Sequence, residues 1–232
     1  MTGHSKRKDG SPMKIKHFSK LLAAGFLCVC SAMSLAAGNP DSANIALPKP
    51  QMDKGKPLMQ VLKERKSIRE FSPRKISDQD LSNMLWAGFG INRPETGGRT
   101  APSAMNMQEI DLYVTLEQGC YRYDAKSNAL ILVVAKDLRP MAGKQAFVKD
   151  APANIIFVAD YSRIRKSSSN DSKSYSIADA AFISENIYLY CASEGLATVV
   201  RASIDKPELV KAMKLGQDQE IIFGQTVGYP KK

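Results

Sequence analysis

Residues 176–193 read SIADAAFISENIYLYCAS. The stretch has helical propensity, and Ile177, Ala181, Phe182, Ile187, Tyr188, Leu189 and Tyr190 are spread around the axis instead of along one stripe. A helix that is apolar on nearly all sides is enclosed by protein, so this one is expected to be the central helix of the core, a subunit interface, or both. What surrounds it then sets the fold class. Upstream, residues 109–116 (EIDLYVTL) alternate as a strand does. Residues 119–124 (GCYRYD) and 129–135 (ALILVVA) read as two more strands joined by a turn at Lys126-Ser127-Asn128, and 153–160 (ANIIFVAD) is a continuous apolar strand. Downstream come a strand at 195–203 (GLATVVRAS), a helix at 205–215 capped by Asp205, and a last strand at 219–230 (QEIIFGQTVGYP). The order is mixed, which implies an α+β fold around a central sheet and not a doubly wound α/β sheet.

Ahead of the sheet, residues 57–65 (PLMQVLKER) place Leu58, Val61 and Leu62 on one helical face, with Pro57 suited to the first turn. Ser77 to Asp80 cap a second helix, striped by Leu81, Met84 and Leu85 and stopped by Gly88 and Gly90. Residues 90–108 are rich in Gly, Pro and small polar groups and read as a long, specific loop with a short helical turn. Residues 161–176 read as a Ser-rich cationic loop with nothing to bury, and residues 37–56 as a linker or an arm laid over a partner.

The formal charge of +10 points first to nucleic acid, but six of the cations precede an apolar run at 21–30. Read from Met13, the segment has a basic start, a run too short to span a membrane comfortably, and a small-residue exit at Ser34-Leu35-Ala36. Residues 1–36 are therefore read as a secretory signal, with 1–12 an upstream extension. Export, to the periplasm, is the expectation, and an N-terminal membrane anchor is the alternative. Without residues 1–36, which hold six cations and one anion, the formal charge falls to about +5. No basic stripe interleaved with aromatics remains to support nucleic-acid binding.

Both histidines, His4 and His17, also fall in that leader. A mature chain without His has no Ser-His-Asp or Cys-His nucleophile system and no imidazole metal ligand, so its chemistry, if any, must be borrowed. Of the four cysteines, Cys28 and Cys30 leave with the leader, and Cys120 and Cys191 are expected to be buried free thiols, an exported disulfide being the alternative. The GFG at 88–90 follows a helix and lacks a third glycine, so it is no dinucleotide loop.

Two constellations remain. In residues 65–69 (RKSIR), Arg65 and Ser67 can donate to a phosphate, and Arg69 can reach a second anionic or carbonyl group; the competing reading is a solvated cationic edge. In residues 99–108 (RTAPSAMNMQ), Ser103, Asn106 and Gln108 gather the hydroxyl and amide groups that a planar heterocycle needs; the competing reading is satisfied loop amides.

In series, residues 64–94 (ERKSIREFSPRKISDQDLSNMLWAGFGINRP) and 99–114 (RTAPSAMNMQEIDLYV) resemble the nitroreductase family of FMN-dependent oxidoreductases, in its compact branch related to thiazole/oxazole-forming peptide dehydrogenases. The likeness runs from about residue 57 to about residue 230, which makes 57–232 a nitroreductase-like FMN-binding domain. It implies a mainly antiparallel central sheet flanked by helices, with a long helix in the core or interface. It also implies FMN held between the two chains of a homodimer, NAD(P)H or another electron donor, and ping-pong transfer to small acceptors such as nitroaromatics or quinones. By the same resemblance Arg65 and Ser67 hold the FMN phosphate, Lys66 between them is a further cofactor-binding residue and Arg69 lies at the pyrimidine end, while Pro102, Ser103, Asn106 and Gln108 cross from the partner subunit. The backbone N–H groups of Ala202 and Ser203 would face the reactive edge, and Lys231 would close the phosphate site. Ala202-Ser203 stands where many members have Glu-Gly, so a non-catalytic flavin- or ligand-binding module is the alternative function. The short 162–174 segment, where larger relatives insert a helix, implies an open substrate site.

Overall fold

The structure, a computed structural model, describes residues 43–164 and 169–231, with the side chains of residues 169 and 170 left out. The expected signal segment, its upstream extension and Cys28 and Cys30 lie outside the described residues. The elements in chain order are β1 (Ile45–Ala46), α1 (Leu58–Glu64), α2 (Asp78–Phe89), β2 (Ile91–Arg93), β3 (Gly98–Arg99), β4 (Ile110–Leu116), β5 (Gly119–Asp124), β6 (Ala129–Val134), α3 (Phe147–Asp150), β7 (Ala153–Asp160), α4 (Ser169–Glu194), β8 (Ala197–Arg201), α5 (Lys206–Met213) and β9 (Gln219–Gly228). Seven strands form one sheet in the order β1-β6-β5-β4-β7-β9-β8, with antiparallel neighbours throughout, and β2 and β3 make a separate two-stranded ribbon.

Strand β7 explains the layering. Side chains alternate across a strand, and both faces of β7 are buried. Ile155, Phe157 and Ala159 join one core with Leu81, Met84, Leu85, Ile183, Ile187 and Cys191 of α2 and α4. Ile156 and Val158 join a second core with Leu209 and Met213 of α5 and with Leu138 and Val148. The sheet is thus the middle layer, with α2 and α4 on one face and α5 with α3 on the other.

Helix α2 starts where expected: Ser77 Oγ accepts the Asp80 N–H at 3.0 Å, and Asp78 and Asp80 in the first turn suit the helix dipole. It runs through Gly88, where a side chain would press on Ile187 of α4, and ends at Gly90. Helix α4 begins at Ser169, several residues ahead of the sequence-based start, so part of the expected Ser-rich loop is its first turns; Asp171 lies in the first of these. The helix is also less enclosed than its composition implies. Ala180, Ile183, Ile187 and Cys191 are fully buried, whereas Ile177 and Phe182 are 55% and 49% exposed.

The described part of the expected linker lies along this chain's own domain. Ile45 and Ala46 pair with β6, Leu47 is buried, and Asn128 Nδ2 donates to Pro48 O at 2.8 Å. Gln51 N–H donates to Asn83 Oδ1 at 2.9 Å. Both remaining cysteines, Cys120 and Cys191, are buried free thiols, as expected; burial pushes Cys120 up to about 12 and Cys191 higher still, so neither is a reactive thiolate. Among the described residues, no helix is long and apolar enough to cross a membrane, and no group of His, Cys, Asp and Glu could hold a metal ion.

Candidate functional site

Strand β8 ends the sheet, so its outer edge has no strand partner. Residues 66–71 fill part of that place. Helix α1 stops because Arg65 turns extended (φ −55°, ψ 123°), and the chain then passes along β8, with Ile68 N–H donating to Thr198 O at 3.0 Å. Tyr188 of α4 ties the pieces together. Its hydroxyl accepts the Val200 N–H at 2.8 Å and shares a 2.9 Å hydrogen bond with Ser67 Oγ, while the Arg65 guanidinium stands 5.4 Å from its ring centre. If the Tyr188 O–H points at Ser67, the Ser67 hydroxyl proton is left to donate outward.

The C-terminal segment is held against the same edge. Ser72 N–H donates to Tyr229 O at 2.8 Å, Phe71 bridges to Pro230, and Lys231 N–H donates to Glu70 O at 3.2 Å. Arg69 and Lys231 therefore line one cleft of about 440 Å³, with Phe71 and Phe147. Lys66 lines a second of about 400 Å³ with Ile68, Tyr188 and Thr198. A third, of about 420 Å³, lies between α4 and β8 and is walled by Ser184, Tyr188, Val200, Ala202 and Phe223. Its floor is polar but satisfied: Ser184 Oγ donates to Gln225 Oε1 at 3.0 Å, and Gln225 Nε2 donates to Thr198 Oγ1 at 3.1 Å. Ala202 and Ser203 are exposed where β8 ends.

Arg65, Lys66, Ser67, Arg69, Ala202, Ser203 and Lys231 thus gather on one sheet edge. Among the described residues none of the four cations is in a salt bridge, although Glu70 and Asp150 also line the cleft of Arg69 and Lys231; cations without such a partner can meet an anion. The edge also offers a narrow apolar wall beside hydroxyl and backbone donors. A phosphorylated planar heterocycle such as FMN fits this set in chemistry and in scale. A larger cleft, about 570 Å³, lies beside Lys75, Glu117 and Arg139. There Arg139 is already held by Asp137 through Nε and Nη2 at 3.0 and 2.8 Å, so it has less to offer an anion.

Pro102, Ser103, Asn106 and Gln108 are elsewhere. Their loop sits by the N-terminal half of α4, where Ala104 N–H donates to Asp179 Oδ2 at 2.9 Å. Asp179 and Tyr188 are nine residues apart, about 13 Å along the helix. Within the loop, Ser103 Oγ accepts the Gln108 N–H at 2.8 Å, and Gln108 Nε2 donates to Asn106 Oδ1 at 2.9 Å. Pro102 and Asn106 are exposed. One chain does not bring the two constellations together.

Three features escaped the sequence reading. Tyr188 was grouped with the apolar residues of its helix, yet its hydroxyl is the hub of the edge; a Tyr in a core helix needs a partner for that hydroxyl, which was the available signal. Arg201 is 6% exposed and donates to Thr226 Oγ1 at 2.9 Å, to Asn154 Oδ1 at 2.8 Å and to Ala142 O. Among the described residues no carboxylate forms a salt bridge with it, and burial holds its guanidinium down to about 10. Glu109 and Asp179, also buried, are the third.

With this geometry in view, the relatives give it context. The sequence matches the profile of the nitroreductase family over residues 62–229. A provisionally named nitroreductase of Methanocaldococcus jannaschii is 28% identical over 168 residues, which cover 68% of this chain and 84% of that protein. The crystal structure of a provisionally named nitroreductase of Ralstonia eutropha JMP134 is 42% identical and superposes with a TM-score of 0.79, covering 84% of this chain and 93% of the other. An NADPH:FMN oxidoreductase of Vibrio harveyi, solved with NAD+, shares the fold at 20% identity and a TM-score of 0.58, over 75% and 69% of the two chains. A profile match over most of the chain, together with the antiparallel sheet and the long helix α4, leads to one conclusion: this chain belongs to the nitroreductase family of oxidoreductases.

Proposed function

We propose that the protein is an FMN-dependent oxidoreductase that passes electrons to small organic acceptors, nitroaromatics or quinones among them, in a ping-pong cycle. The observation that supports this reading is the placing of Arg65, Ser67, Arg69 and Lys231, without salt-bridge partners among the described residues, along the β8 edge, where Tyr188 joins Ser67 to the cleft between α4 and β8 and Arg69 and Lys231 line a separate cleft. Bound FMN would supply the two-electron chemistry. Arg65 and Lys231 would neutralise its phosphate, Lys66 would add positive charge, and Ser67, oriented by Tyr188, would donate to it. Arg69 would favour negative charge at the pyrimidine end, and the Ala202 and Ser203 backbone would offer fixed dipoles to the reactive edge.

A second copy of the chain completes the site in this reading. The separation of the 102–108 loop from the cationic edge supports a partner's Pro102, Ser103, Asn106 and Gln108 meeting the flavin, and the exposed Ile177 and Phe182 of α4 are an apolar face that such a partner would cover. NAD(P)H is the natural donor by family analogy. Export through residues 1–36 would instead call for a donor outside the cytosol, and the N-terminal sequence of the isolated protein tests that part.

The non-catalytic alternative keeps one specific observation, Ala202-Ser203 at the reactive edge. The deciding experiment is the visible spectrum of the purified protein, followed by turnover with a nitroaromatic or quinone. A two-banded flavin spectrum near one FMN per chain, with steady turnover, is the expected result. A flavin spectrum without turnover selects the binding module, and a colourless protein that takes up no FMN overturns both.

A further inference from the structure

The loop of residues 102–108 stands on two buried carboxyl groups. Glu109, immediately before β4, is wholly buried; Asp179, on α4, is 3% exposed; Ser176, one turn earlier, is wholly buried. Asp179 Oδ2 accepts the Ala104 N–H at 2.9 Å. Ser103 Oγ accepts the Gln108 N–H at 2.8 Å and reaches toward Glu109 Oε2 at 3.5 Å. Both carboxyls therefore hold the same loop from beneath. That loop needs holding, because Met105, Asn106 and Gln108 all adopt positive φ, at 50°, 53° and 51°. Such backbone persists where its surroundings over-determine it.

The groups around Glu109 do not neutralise two anions. From α4 it is faced by Asp179 and Ser176, and the 3-10 turn after β7 brings Tyr161, whose hydroxyl donates to Glu220 at 2.9 Å. Arg163 donates to Gln108 O but spends its charge on Asp111 and Asp160. Arg99 donates to Gln108 Oε1 and to Phe89 O, and Lys173 pairs with Glu220. Among the described residues no salt bridge reaches Glu109 or Asp179. Ser176 and Asp179 turn polar atoms toward the Glu109 carboxyl, yet Glu109 Oε1 and Ser176 Oγ close no well-formed hydrogen bond. A carboxylate cannot donate, whereas a protonated carboxyl can.

We infer that Glu109 carries a proton and turns it toward Asp179, and that this carboxyl pair positions the ligand-facing loop of residues 102–108. That proton gives the otherwise partnerless Oε1 a donor role and lets two carboxyls occupy one dry site. Burial, reinforced by the Asp179 charge, moves Glu109 above the ordinary carboxylate range. The sign follows: the contribution is complete below the ordinary Glu value and is lost as pH rises through the raised one. Deprotonation would set two anions against each other and loosen the Asp179 hold on Ala104. That the loop touches FMN rests on the reading proposed above; the proton and its effect on the loop do not.

Two measurements on the full chain from about pH 5 to about pH 9 test this: the protection factor of the Ala104 amide in hydrogen exchange, and FMN binding. In the wild type, protection should fall and the FMN dissociation constant should rise about tenfold toward the alkaline end. Glu109→Gln keeps a donor that cannot ionise, so both profiles should flatten relative to the wild type. Asp179→Asn keeps an acceptor for Ala104 and should flatten them too, which serves if the first variant folds poorly. Parallel protection profiles in wild type and variants would overturn the inference. Absence of FMN binding at every pH would overturn the flavin reading, while the amide profile would still decide the carboxyl pair.

Discussion

Arg65 and Ser67 meet at Tyr188, one as a cation beside its ring and the other as a hydroxyl against its hydroxyl. Their pairing predicts a sharp loss of ligand. Replacing both by Ala should weaken FMN binding at least a hundredfold, about 3 kcal/mol for the charge-assisted bonds removed, with the fold intact because both side chains lie on the surface side of the edge; equilibrium dialysis and circular dichroism check the two halves. The roles of these residues were readable to different depths. Alternation in RKSIR marked side chains that share an edge, but Tyr188 looked like core because its apolar neighbours set the local pattern. Glu109 and Asp179 are 70 residues apart in sequence, and the fold, with no local motif, makes them neighbours.

Among the elements, α2 and α4 show how closely two helices can set their distance. Gly88 lies against Ile187, and a Cβ there would be 2.9 Å from Ile187 Cγ1. Gly88→Ala gains helix propensity but forces a buried branched side chain to move, so a net loss of about 1 to 2 kcal/mol is expected in urea unfolding. Elements were most legible where two signals agreed. Strand β7 combined a continuous apolar run with a length typical of a buried strand, and α2 combined a Ser cap with an apolar stripe. The early start of α4 was hidden because Ser and Asn are weak helix formers whose state is decided by context. The ribbon of β2 and β3 was hidden in a loop of Gly and Pro because its strands are only three and two residues long.

At the scale of the whole molecule, residues 43–51 belong to the domain. Leu47 is 8% exposed, next to a two-residue strand that no alternation pattern could reveal. Leu47→Ala should cost about 2 kcal/mol, measured by chemical denaturation, whereas a true linker position would change nothing. The α+β class and the central sheet were legible because most strands carry their own apolar pattern. The layering was less so, since it depends on which face of each strand meets which helix.

The backbone tie between Glu70 and Lys231 has a consequence for biosynthesis. Arg69 and Lys231 are about 160 residues apart along the chain, so the cleft they share closes one of the longest loops in the molecule. Residues 229–231 can dock beside residues 70–72 only after every element from β1 to β9 has been made. The emerging chain therefore has no complete anion-binding edge until β9 has been made, and the cofactor proposed for it would be acquired by a folded or nearly folded domain.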